Sequence, residues 1–524
     1  MTGETRWMLD RAEAVSAAGM VAAKHPLAAR AGGEQAVVDF GMIAPRAAAP
    51  DMFPLAGGAN PGMFGWPSVV DDANLHGSRS IAVPGAPAGF ALAAGRFGTM
   101  PLADLLQPAI RLAEDGFLPN WHTTLNTATD LWLIVRHPET TRIFAPGGIP
   151  WSPLPGMRTP LRQPDLARTL REFAAGGPDA FYTGAIAGRI VREVRETGGI
   201  LDAEDFAAYR ASVVAPLRGR YRGLEILATP AASGGPTVLQ TFNQLEGADL
   251  AGLGHNSLPA LHEIAEACRG AFVDRFTWLA DDRQVEVPLA ALLSPEYAAE
   301  RRAELRPDRA RMPLLPGDRA RLGVGHALGR SVAAYGAPRM TTTHVSVIDR
   351  HGNAASLTNT LLSGWGSGVT APGTGVLLNN GMMWFDPEPG RPNSVAGGKR
   401  PLSNMAPVVV VRGGEAFMSL GAMGGRRILN AIPQIVANVA DFGMGMQAAI
   451  TAPRIDLSTG ALQASDRIPA ATLAALAAMG HDVQPIEEDV LGFEFASPAG
   501  VLRRDGVLFG GANPYYPAWA AAAD

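Results

Sequence analysis

Between Pro101 and Phe117 the apolar residues Leu102, Leu105, Leu106, Ala109, Ile110 and Ala113 recur at the spacing of one helix face. Pro108 lies inside that stretch and can bend it. The same periodicity predicts helices over Leu166–Ala175 and Ala185–Thr197, the second stopped by Gly198-Gly199 as a C-cap would stop it. Residues 1–60 are rich in Ala, Gly and Pro with weak periodicity, and 120–165, punctuated by Pro and Gly, reads mostly as loop. Tyr221–Ala228 reads as one strand. An amphipathic helix is expected at Leu258–Leu279, with Leu261, Ile264, Cys268 and Phe272 on its buried face. After about Gly336 strand patterns dominate: HVSVID, NAASLTNT, TGVLLNN, PVVVV and AFMSL, all between Thr341 and Leu420. Helices return at Arg426–Phe442 and Ala470–Met479. Helices, then strands, then helices predict an α+β or layered sandwich rather than a doubly wound sheet.

Composition narrows the chemistry. The 524 residues are 47% hydrophobic and 18% charged, enough for a large core and against disorder. Length alone suggests about three domains, and no internal repeat is visible. The net charge of −5 comes without a Lys/Arg cluster, so no nucleic-acid footprint exists. Lysine occurs only as Lys24 and Lys399, which argues against Schiff-base and Ser–Lys mechanisms. The single Cys268 excludes an internal disulfide, a cysteine zinc site and an iron–sulfur cluster. No stretch has the apolar length of a membrane span, and the first residues carry charges where a signal peptide is apolar. The expectation is a soluble, cytoplasmic protein, or a periplasmic one if a leader has been removed.

Several motifs fail on inspection. His262-Glu263-Ile-Ala-Glu266 lacks the second histidine of a zinc motif and is expected to be helix surface. Gly364-Trp-Gly-Ser367-Gly places its serine one residue too late for a nucleophile elbow. Gly323, Gly325 and Gly329 miss the dinucleotide spacing by one, and no Walker A sequence occurs.

The informative segment is Met340-Thr341-Thr342-Thr343-His344, followed by turn chemistry at Asp349-Arg-His-Gly-Asn353 and by Ser356-Leu-Thr358-Asn-Thr360. A turn centred on His351 pairs residues whose numbers sum to 702, which sets Thr342 opposite Thr360. Their Cβ atoms would then be roughly 4.5–5.5 Å apart. A threonine hydroxyl needs a base, and an N-terminal threonine carries its own, an α-amine of pKa about 7.7–8.0. Its β-branch limits rotamers, and a second hydroxyl can orient the first. Thr-rich runs are also simply good strand formers, and this segment alone does not decide. Further on, Gly424-Gly425-Arg426 joins a strand to a helix, where free amides can form an oxyanion hole or merely turn the chain. Asn379-Asn380 and Lys399 to Asn404 supply more polar groups.

These motifs resemble the γ-glutamyltranspeptidase family of N-terminal-nucleophile hydrolases over most of the chain. The resemblance rests on Thr342-Thr343-His344, Asp349 to Asn353, Gly368 to Asn380, Lys399-Arg-Pro-Leu-Ser403 and Gly424-Gly425. Upstream, Gly19 to Pro26, Val83-Pro-Gly85, Phe181 to Gly184, Ser233-Gly-Gly235 and Asp274-Arg275 follow in the same order. It implies a four-layer αββα sandwich and an inactive precursor cut before Thr342 into 1–341 and 342–524, the two segments forming one intertwined domain. Thr342 is then nucleophile and base, Thr360 its hydroxyl partner, and Gly424 and Gly425 the oxyanion hole. No metal or organic cofactor is implied. The partners implied are a small amide and water or an amine, with the two fragments as a heterodimer and further oligomerisation left open.

The resemblance breaks in two places. The family's R-E-x-A-P arginine, which binds the glutamyl carboxylate, is replaced in Gly41-Met42-Ile-Ala-Pro45. Its amino-binding Asn, Gln and Asp become Leu362, Gly381 and Trp384, and its paired serines become Ser403-Asn404. Losing the carboxylate partner removes a bond of about 1.5–3 kcal/mol. Met382 to Asn393 is closer to the family's cephalosporin acylases, whose acyl groups include glutaryl chains. Arg426, where the family often has serine, either replaces the carboxylate partner or is a surface residue. Between Gly32 and Glu34 the family has several dozen more residues, leaving open a core closed another way or an inactive scaffold that only binds ligands.

Overall fold

The computed structural model describes residues 13–16, 19–23, 34–59, 66–152, 154, 156, 159–230, 232–312, 314–318, 322, 340–489, 494–515 and 519–522. The junction at Gly32, the Lys24-His25-Pro26 end of the first motif, the Gly323–Gly329 glycines and Gly336 lie outside them. Around the expected turn, Asp349 Oδ1 accepts the amides of His351 and Asn353 at 2.8 and 2.9 Å. The turn joins β5 (Met340–Asp349) to β6 (Ala354–Ser363), paired antiparallel in the expected register. With β2 (Gly19–Ala23) and β11 (Trp519–Ala522) they make a four-stranded sheet ordered β6-β5-β2-β11. The larger sheet runs β1 (Ala14–Ser16), β10 (Val507–Ala512), β9 (Ser497–Arg504), β8 (Glu415–Met423), β7 (Val408–Arg412), β4 (Leu224–Ala228) and β3 (Leu217–Tyr221).

Period-two alternation lets β8 serve both faces. Met418, Leu420 and Ala422 point into a core shared with helices Gly235–Leu245, Leu258–Trp278 and Arg427–Ala440. Ser419 and Gly421 point to the small sheet: Ser419 Oγ donates to Ala355 O at 2.7 Å, and Gly421 lies under the His344 ring. Met20, Ile348, Ala499, Val501 and Leu508 fill the space between the sheets. A second helical group, including Pro164–Tyr182 and Ala185–Glu196, packs on Val369, Ala371 and Leu378. This is the α+β, αββα class expected. Among the described residues no helix is long and apolar enough to cross a membrane.

Some local expectations are corrected. Residues 120–165 contain helices Trp121–Thr129 and Pro138–Phe144, the first capped by Asn120 Oδ1 accepting from Thr123 N at 3.0 Å. Tyr221–Ala228 is not one strand; Arg222 and Gly223 turn at φ +50° and +73° to make a hairpin. Arg222 tolerates that conformation because its guanidinium is tied to Asp441 at 2.6 Å and to the carbonyl of Glu246 at 2.6 Å. TGVLLNN contributes only the two-residue strand Val376–Leu377. The Leu258–Trp278 helix buries its expected face, but also His262, Glu266, Arg269, Asp274 and Arg275.

His262 and Glu266 are therefore not surface residues. Glu266 pairs with Arg269 and Arg311. With His481 the two form the one group among the described residues that could surround a metal ion. Donors and acceptors there are already matched. Arg306 O can only accept, so His262 Nε2 donates to it at 2.7 Å; Arg269 can only donate, so His481 Nδ1 accepts at 3.0 Å. The remaining bond, His481 Nε2–H to His262 Nδ1 at 2.8 Å, completes the chain. A cation would have to break these bonds beside two arginines.

Candidate active site

Pairing runs without a slip from Ala354–Ile348 to Thr360–Thr342, then shifts so that Leu362 opposes Thr341. Leu361 is the extra residue of that bulge, and Leu362 takes φ +83°, rare for a non-glycine residue. The geometry saturates one hydroxyl. Thr360 Oγ1 accepts from Thr342 Oγ1 at 3.1 Å and from Leu362 N–H at 2.9 Å. It donates its own proton to the carbonyl oxygen of Thr341. Thr341 Oγ1 donates to the carbonyls of Ser363 and Gly364 at 2.6 and 2.9 Å. The Thr341–Thr342 bond is thus held from both sides, and Thr342 is buried.

One turn of the pleat away, the His344 ring bridges Thr358 and Ser346 hydroxyls at 2.9 and 2.8 Å. Burial pushes its pKa down to about 3. His481 is also lowered to about 3, by burial first and then by Arg269 and His262. Below about pH 6.5 the unfolded chain takes up protons that these folded rings refuse until about pH 3, so stability falls as pH falls through that window. The urea midpoint should drop between pH 6.5 and 4.5 with a slope approaching two protons. An unchanged midpoint over that range would contradict the burial of both rings.

Gly424 and Gly425 have φ +132° and +63°, and a Cβ on Gly424 would lie 2.9 Å from Ala496 Cα. They connect β8 to the Arg427–Ala440 helix. Contacts along β8 advance in step with the hairpin: Ser419 meets Ala355, Leu420 O accepts from Ser356 at 2.9 Å, and Gly421 meets His344. The end of β8 therefore leads toward the Thr342–Thr360 end.

Ser403 and Asn404 are organised by Arg275, which the sequence marked only as part of a motif. Its guanidinium donates to Ser403 O at 2.6 Å, Asn404 Oδ1 at 3.0 Å and Ser233 O at 2.7 Å. Burial lowers its pKa to about 9. Ser403 Oγ accepts from Met405 N at 3.1 Å. Arg426 is 1% exposed, so its placement as a surface residue is corrected. It stacks over Phe276 at 5.2 Å, and burial drives its pKa well down despite Asp456. Asn379 and Asn380 prove to be stitches: Asn379 Oδ1 accepts from Ala82 N and Gly381 N at 3.1 and 2.8 Å. Asn380 Nδ2 donates to Leu75 O at 2.8 Å.

Leu362, Trp384, Met383 and Trp66 form a buried apolar cluster, with Met42, Leu75 and Met405 against it. Trp66 carried no recognisable signal in the sequence, lying far from every motif. A Cβ at Gly381 would sit 2.5 Å from both Ala82 Cβ and Met42 Sδ, so no larger side chain fits. Of the three positions expected to replace amino-binding residues, Leu362 bonds Thr360 and shares its apolar wall with Trp384, while Gly381 packs against Met42 at the edge of that wall.

The layered sheets and the threonine at the start of a hairpin define an N-terminal-nucleophile hydrolase fold. A cephalosporin acylase from Bacillus halodurans superposes with TM-score 0.85, covering 100% of this chain and 99% of that one at 24% identity. The γ-glutamyltranspeptidase profile matches residues 27–517. Acylase ACY 1 proenzyme of Pseudomonas sp. (strain SE83) is 39% identical over 414 residues, 79% of this chain and 70% of its own length. Glutathione hydrolase proenzyme of Escherichia coli (strain K12) is 35% identical over 469 residues, covering 85% and 76%. The chain belongs to the γ-glutamyltranspeptidase family and is an amidohydrolase/transferase of that family.

Proposed function

We propose that the protein is a self-processing threonine amidohydrolase whose acyl specificity has moved from γ-glutamyl toward glutaryl-type groups. The observation that carries this is the Thr360 hydroxyl, bonded at once to the Thr342 hydroxyl and to the Thr341 carbonyl. In maturation, Thr342 Oγ attacks the Thr341 carbonyl carbon and the resulting oxyanion is held by Thr360 Oγ–H. The C–N bond breaks as the Oγ proton reaches the Thr342 nitrogen, giving an ester and a free Thr342 amine, and water then hydrolyses the ester to release the Thr341 carboxylate and restore the Thr342 hydroxyl. The products are segments 1–341 and 342–524, which stay associated as a heterodimer because both contribute strands to each sheet.

In turnover the Thr342 amine takes the Oγ proton, and Oγ attacks the substrate amide. The amides of Gly424 and Gly425 receive the oxyanion, the amine product leaves with the proton, and water or another amine releases the acyl group. Ser403, Asn404 and Arg426 contribute the polar side of the acyl pocket; Leu362, Gly381 and Trp384 contribute the apolar side. The shift in specificity follows from that wall, since an ammonium has only donors and needs acceptors around it. Similarity to proteins named acylase and glutathione hydrolase supports this chemistry. Intact-mass measurement of the purified protein should give the two segments cut before Thr342. Glutaryl-p-nitroanilide should be hydrolysed with higher kcat/KM than γ-glutamyl-p-nitroanilide; the reverse order would refute the reading of the pocket.

A further inference from the structure

Trp384 is 1% exposed, and its indole Nε1–H has no acceptor among the described residues. Its backbone is well held, with Trp384 O accepting from Asn393 Nδ2 at 2.7 Å, so the ring is placed by structure rather than by its own polar atom. Around it stand Leu362, Met383 and Trp66, with Met42 and Met405 behind them, none of which offers a strong side-chain acceptor. A buried tryptophan N–H ordinarily finds a partner. This one lies in the same cluster as Leu362, whose amide bonds the hydroxyl that touches Thr342.

We infer that Trp384 Nε1–H is the hydrogen-bond donor for the far end of the acyl group, so that the protein selects acyl chains ending in an acceptor oxygen, above all the terminal carboxylate of a dicarboxylic half-amide. This rests on the threonine amidohydrolase reading above and gives its substrate class a specific contact. A carboxylate accepts through either oxygen and satisfies the indole. A methyl end leaves the indole as it is. An ammonium sets donor against donor at the edge of the ring.

The test uses the full-length, self-cleaved protein with glutaryl-, pentanoyl- and γ-glutamyl-p-nitroanilide, which share a five-carbon acyl chain. The native protein should favour glutaryl over pentanoyl by at least about tenfold in kcat/KM, and γ-glutamyl should rank last. Trp384→Phe keeps the ring and removes the N–H, and should lower the glutaryl-to-pentanoyl ratio by about tenfold, the weight of one charge-assisted bond. The ratio is read within one preparation, so partial loss of folded protein does not enter it. A second measurement needs no variant: glutarate should inhibit the native protein at least about tenfold more tightly than pentanoate. A Trp384→Phe ratio within twofold of native, or equal inhibition by the two acids, overturns the inference while leaving the threonine mechanism standing. A native protein that is uncut, or cut and inactive on all three anilides, overturns the threonine reading and this inference with it.

Discussion

Thr342→Ala should run on a denaturing gel as one full-length chain where the native protein gives two, and should hydrolyse no anilide. Both effects follow from one atom. In the proposed maturation the Thr342 hydroxyl is the group whose attack on the Thr341 carbonyl breaks the chain, in a strand where Thr360 already bonds that carbonyl. In the proposed turnover the same hydroxyl carries the acyl group. Alanine has no replacement for it and leaves the fold alone, since Thr342 contributes a single side-chain bond to Thr360. Thr342→Ser, which keeps the hydroxyl but loses the β-branch, should still be cut, only more slowly. Normal cleavage in the alanine variant would mean that another group or a protease makes the cut.

Gly424→Ala should lower kcat by about 10²–10³, the usual consequence of losing an oxyanion donor. The argument is geometric. The residue sits at φ +132°, which L side chains rarely adopt, and its new methyl would lie 2.9 Å from Ala496 Cα, a backbone atom that cannot swing away. The loop must shift, and with it the two amides. The core should survive, because strain of this kind costs about 1–3 kcal/mol. Activity normalised to the cleaved fraction, with circular dichroism as the check on folding, separates the two consequences. A kcat within threefold of native would remove Gly424 from the oxyanion hole.

The hairpin was legible because strand patterns flank the turn chemistry at Asp349–Asn353, and centring that turn on His351 set the register. The helix at Ala185–Glu196 announced itself by spacing and by the Gly198-Gly199 stop, and that at Leu258–Trp278 by spacing alone, its Ser257 cap being seen only in the fold. What could not be read were features made by distant partners. The Arg222–Gly223 turn depends on Asp441. The burial of His262 and Glu266 depends on His481 and Arg311. Trp66 joins the acyl wall only because the chain folds it against Leu362 and Trp384. Arg426 had two readings, and its neighbours Arg275, Phe276 and Asp456 removed the exposed one.

The bulge after Thr360 has a consequence for how such a protein can change. The bond from Leu362 N–H to Thr360 Oγ1 holds residue 362 in its left-handed conformation and so aims its side chain into the apolar wall. The same oxygen bonds the Thr342 hydroxyl and the Thr341 carbonyl. In the mechanism proposed above, maturation and substrate choice therefore share a hinge pin one atom wide. On that mechanism a substitution at 362 that suits a new acyl group should also retune the step that brings the enzyme into being, so the two traits would be inherited together.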